Sequence, residues 1–185
     1  MRPLFFLLFA VLHCIATSAQ DRLLTRNGSI SFYSRTPLEN IQANTQTALS
    51  VLDKRTGQIE FSVLVKSFTF EKALMQEHFN EDYLESDKFP KSTFKGRIED
   101  LDKISFDKDG KYTVSVAGEL TIHGESRALT TPVTFTILKG VALADAQFEI
   151  MLSDYKVAIP SLVKDKISKT VKVALRLKYE AQAQP

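Results

Sequence analysis

The chain has one cysteine, no tryptophan and three histidines among 185 residues. The cysteine, Cys14, falls in an N-terminal stretch with the marks of a secretory signal. Arg2 supplies a positive start, Leu4 to Leu12 an unbroken apolar run, and Thr17-Ser18-Ala19 the small residues a signal peptidase reads. That run is too short to span a bilayer. The expected cut follows Ala19, leaving residues 1–19 as signal peptide and 20–185 as one domain, periplasmic or extracellular in location. His13, not a small residue, precedes Cys14, which argues against lipoprotein lipidation. Without Cys14 there is no disulfide, no thiol nucleophile and no thiolate metal site, so an exported domain must rely on its core.

Charge of one sign is also missing. Lys and Arg number 24 against 22 Asp and Glu, and without Arg2 the formal excess falls from +2 to +1. The two signs are mixed along the chain with no basic cluster, so nucleic acid is not an expected partner. Only His78 and His123 remain as imidazole bases beyond residue 19, too few partners for a nucleophile–base system, and an enzyme is not expected.

What is present in abundance is alternation. From Tyr112 to Ile122 one face carries Tyr112, Val114, Val116, Gly118, Leu120 and Ile122, and the other Thr113, Ser115, Ala117, Glu119 and Thr121. Side chains of a strand point to opposite faces in turn, so this is a long strand with one apolar and one wet side. The same pattern predicts strands over Gly28–Thr36, Leu38–Leu52, Gln58–Lys66, Ser92–Ile98, Leu129–Ile137, Val141–Leu152 and Thr170–Glu180. Between the third and fourth, Glu71 to Leu84 shifts to helical spacing, with no Gly or Pro inside it. The stretch Ser153–Lys169, with Pro160, reads as a surface loop containing about one helical turn. Turn chemistry at Asp53–Gly57, Asp107–Lys111, His123–Ser126 and Lys139-Gly140 joins neighbours as hairpins. The predicted fold is all-β: an eight-stranded antiparallel barrel with one short helical insertion, closed because closure removes exposed edges.

Eight strands leave an interior that side chains fill or that holds one slim ligand. Both readings stand at this level. Gly96, Gly118, Ala142, Ala144 and Ala146 either leave room for a ligand or mark close contact of neighbouring strands.

The stretch LMQEHFNEDYLESDKFPKSTFKG, Leu74 to Gly96, together with Gly118-Glu119-Leu120-Thr121-Ile122-His123-Gly124, resembles the YceI-like family of exported, lipocalin-like, polyisoprenoid-binding proteins. The similarity extends from about Gly28 to Tyr179. It implies a lipocalin-like barrel, hydrophobic inside, holding a polyisoprenoid or similar long-chain lipid in its lumen, with no other cofactor and no catalytic residues. On that basis the candidate lipid-binding residues are Phe32, Phe61, Phe94, Val116, Leu120, Phe135, Phe148 and Val173 on the wall, with Phe79 and Tyr83 turned inward from the helix. The different-class alternative is a solidly packed envelope interaction or stress-response protein without lipid.

Outside the wall, His78 and Asp82 are four residues apart on one helix face, a spacing that a metal site uses and that solvated helices also show. His123 at a hairpin tip is placed to donate to a turn carbonyl or a lipid head group. Lys156, Lys164, Lys166 and Lys169 surround the long loop, as solvated cations or as contacts for an anionic membrane surface.

Overall fold

The computed structural model describes residues 21–181; the expected signal segment lies outside them. The alternating stretches form strands β1 (Arg22–Arg35), β2 (Asn40–Asp53), β3 (Gln58–Leu64), a two-residue β4 (Thr69–Phe70), β5 (Lys91–Ile98), β6 (Gly110–Ile122), β7 (Glu125–Leu138), β8 (Val141–Met151) and β9 (Thr170–Ala181). Eight of them run in the order β1-β9-β8-β7-β6-β5-β3-β2, and β2 pairs back onto β1 to close the barrel. All pairings are antiparallel. β4 is an addition to β2, pairing Phe70 with Ala43.

β1 starts six residues earlier than its alternation predicts. A bulge near Arg26-Asn27 shifts the register against β2, leaving two exposed residues in succession and hiding the inward Leu23 and Thr25 from a period-two reading. The predicted helix is shorter and has two parts: α1 (Ala73–His78) and a π-helical turn over Phe79–Tyr83, closed by the Leu84 N–H donating to Phe79 O at 3.0 Å.

The two ends of the barrel differ. At one end lie the tight turns after β2 and β7 and the connection between β5 and β6. Leu101, Ile104 and Phe106 of that connection pack beneath a dense cluster of Leu52, Ile59, Val114, Val116, Phe135, Ile137, Leu177 and Tyr179. Ala142, Ala144 and Ala146 belong here too. Each lies between bulky neighbours, Ile137 and Tyr179, Phe135 and Leu177, Val133 and Leu175 respectively. Their small size therefore accommodates adjacent side chains, not a ligand. Gly96 and Gly118 sit opposite each other under the Phe94 ring. A Cβ on Gly118 would press on the Lys95 carbonyl and come within 2.5 Å of Gly96 Cα and 2.7 Å of Phe94 Cζ. Gly118→Ala is expected to lower stability by about 1–3 kcal/mol, read as a lower midpoint in urea unfolding.

The other end carries the β1–β2 turn, the helical segment, the β6–β7 hairpin and the loop 152–169. These four connections build the site.

Candidate ligand cavity

At the open end the inward residues do not meet across the barrel. They surround a cavity of about 340 Å³, at the lower end of the ~300–1,000 Å³ range of small-molecule sites. β1 contributes Ile30 and Phe32, β3 Phe61 and Val63, β6 Leu120 and Ile122, β8 Phe148 and Ile150, and β9 Val171, Val173 and Leu175. The helical segment adds Met75, Phe79 and Tyr83 as part of the cover. Phe79 is held there by Phe32, Phe68 and Phe70, whose ring centroids lie 5.0–5.9 Å from its own, separations at which edge and offset contacts are favourable. The wider π turn spaces Phe79 and Tyr83 so that both side chains face inward.

The polar groups on the cavity are few: Ser34, Glu39, His78, Ser92, Lys166 and the phenols of Tyr83 and Tyr155. Burial raises the pKa of both phenols above the ordinary tyrosine value, assisted by Asp82 beside Tyr83 and Asp154 beside Tyr155. They remain neutral donors across the physiological range. His78 and Lys166 are exposed at the opening, and Glu39 is tied to Lys72 of the helical segment at 3.1 Å.

Of the ten candidate lipid-binding residues, Phe32, Phe61, Phe79, Tyr83, Leu120, Phe148 and Val173 line this cavity. Phe94, Val116 and Phe135 do not. Val116 and Phe135 are buried in the closed-end cluster, and Phe94 packs between that cluster and the open-end core. They share the inward face with the others but sit at a lower level of the barrel.

The loop 152–169 is not a simple surface loop. Leu152, Tyr155, Val157, Ile159, Val163 and Ile167 all face the cavity, and Tyr155 and Val157 are buried. Leu152 N–H bonds Lys169 O at 2.9 Å, and Ser168 N–H bonds Ser34 Oγ at 2.9 Å, which closes the loop against β1 and β9. Apolar residues at five odd-numbered positions between 155 and 167 are the signal that would have identified it as a cover.

His123 joins this cover to its neighbours. Its Nδ1 lies 3.1 Å from Tyr155 O and its Nε2 2.7 Å from Glu85 Oε2, with the Phe89 ring edge-on at 4.7 Å. It therefore meets a loop carbonyl and is not among the cavity-lining residues. Lys156, whose ammonium lies 2.6 Å from Glu125, draws that carboxyl's pKa below its ordinary value. His78 Nδ1 is 2.6 Å from Asp82 Oδ2, and among the described residues no three His, Cys, Asp or Glu side chains converge as a metal site would require.

Solved structures share this architecture. A polyisoprenoid-binding domain from Saccharophagus degradans, implicated in plant cell wall breakdown, superposes with a TM-score of 0.76 at 16% identity, over 88% of this chain and 99% of that one. BcnA of Burkholderia cenocepacia gives 0.67 at 18% identity, over 82% and 95%. The YCEI protein of Campylobacter jejuni gives 0.62 at 18% identity, over 80% and 90%. No curated protein sequence matches at a significant level. The sequence profile of the YceI-like domain covers residues 22–179, almost the whole closed barrel. With that match and the barrel it spans, the chain belongs to the YceI-like family.

Proposed function

We propose that this protein is an exported carrier of a single isoprenoid or similar lipid tail, held in the open-end half of the barrel without chemical change. The observation that carries this reading is a preformed cavity whose walls are aliphatic and aromatic on every side, with polar groups confined to a few positions. The driving force is desolvation of the tail. Each buried methylene is worth about 0.8 kcal/mol, so about fifteen give roughly 12 kcal/mol gross. After the cost of association, roughly micromolar affinity is left.

Loading would take place at a membrane surface. Leu38, Leu74 and Leu162 are exposed, at 66%, 61% and 93%, and each is next in sequence to a cavity-lining residue, Glu39, Met75 and Val163. Apolar groups around an opening favour transient contact with lipid.

Purification under native conditions, solvent extraction and mass spectrometry test the carrier directly; a stoichiometric lipid is the expected result. Phe148→Asp places a carboxylate on the cavity wall and is expected to weaken farnesol binding by at least about tenfold. A folded variant that retains its full lipid content would contradict the assignment.

A further inference from the structure

We infer that the barrel carries a built-in ruler for tail length, and that its ligands have short prenyl or acyl tails. This rests on the lipid-carrier reading and adds the substrate class. The cavity ends at one level on strand after strand. On β9 it is lined as far as Leu175, and the next inward residue, Leu177, belongs to the packed cluster. On β3 it stops at Phe61 and the cluster begins at Ile59; on β8 it stops at Phe148 and the cluster begins at Ala146. None of the buried residues of the closed-end cluster lines the cavity.

The floor itself is Phe61 and Leu175, which face the cavity and also pack on that cluster, supported by Phe94, the Cα partner of Phe61 across the β3–β5 pair. From Val171 to Leu175 is four residues, roughly 13 Å of strand at about 3.3 Å each. At a tilt of about 40° that is roughly 10 Å of depth along the axis, well short of the barrel's full height. A tail entering from the helix-and-loop end meets aromatic side chains partway down, and further carbons stay at the opening in water.

Affinity is therefore expected to rise by about fourfold per added methylene only while the cavity is filling, and then to stop rising. The experiment is a competition assay with delipidated full-length protein against a fluorescent prenyl probe. Geraniol, farnesol, geranylgeraniol and solanesol are supplied from cyclodextrin. The wild-type curve should flatten before solanesol. Phe61→Ala should move the flattening to longer tails by an isoprene unit. Val173→Phe, which adds bulk to open space and does not hollow the core, should move it to shorter ones. Affinity that climbs through solanesol, or a plateau unmoved in both folded variants, overturns the ruler while leaving the carrier intact. Binding of none of the four alcohols overturns the carrier and the ruler with it.

Discussion

Phe135→Ala should cost about 3–5 kcal/mol of folding stability and leave farnesol affinity unchanged. Phe135 is fully buried and faces Tyr112 and Ala144 across its two strand pairings, with Phe106 edge-on at 5.8 Å beneath it. Its neighbours, among them Tyr112, Phe106, Ile137 and Leu177, are themselves held in the close-packed closed-end cluster, and a cavity that collapses only partly incurs both the transfer and the void penalty. Urea unfolding should show a lower midpoint with little change in slope. Phe32→Ala is the opposite case. Phe32 is only partly buried, lines the ligand cavity and contacts Phe68, Phe70 and Phe79. Its loss should weaken lipid binding more than it weakens the fold. If Phe135→Ala reduced binding as strongly as Phe32→Ala in folded protein, the division of the interior into a packed half and a ligand half would be wrong.

That division explains which parts of this molecule were legible in its sequence. Alternation identifies the inward face of a strand with little ambiguity, and Tyr112–Ile122 shows it over eleven residues. It gives no information on height. Val116 and Leu120 lie on the same face of β6, four residues apart, yet one is sealed in the closed-end cluster and the other faces the cavity. Height is set by the stagger of strands around the closed barrel and by the connection carrying Leu101, Ile104 and Phe106, which has no strand periodicity to announce it. The small residues admit two readings for a related reason. Ala142, Ala144 and Ala146 do signal space beside them, but cross-strand pairing decides that Tyr179, Leu177 and Phe135 fill it.

The cover shows a second limit. Phe79 and Tyr83 were readable as inward-facing because helical spacing puts residues four apart on one side. The residues Tyr155, Val157, Ile159, Val163 and Ile167 carry an equally regular signal. Pro160 and five lysines between 156 and 172 mask it, because polar content and proline dominate a loop assignment. Burial there depends on hydrogen bonds to distant elements, Ser168 to Ser34 and His123 to Tyr155, which no local window contains.

Alkaline titration should expose the polar anchor hidden in the packed half. Tyr179 is essentially inaccessible, and its hydroxyl lies 2.7 Å from Ser50 Oγ. Ser50 Oγ donates its one hydrogen to Glu60 O at 2.8 Å, so the phenol must be the donor to Ser50. Burial pushes the phenol up to about 12 from its ordinary value of 10.0, with the Ser50 contact acting in the opposite direction. The unfolded chain therefore releases this proton near pH 10 while the folded barrel holds it until about pH 12, and between those values the unfolded state binds fewer protons. Stability from this group is fully present below pH 10 and falls as pH rises through 12, by roughly 3 kcal/mol in all. Tyr179→Phe removes that loss but gives up one hydrogen bond, about 1 kcal/mol at neutral pH, with Ser50 still satisfied by Glu60 O. The two stability curves should cross above pH 10, wild type being the more stable below the crossing and the phenylalanine variant above it. Lysines and other tyrosines titrate alike in both proteins and cancel from the difference. Curves that stay parallel from neutrality to pH 12 would mean that the Tyr179 hydroxyl reaches water in the native barrel, and that the closed end is not sealed.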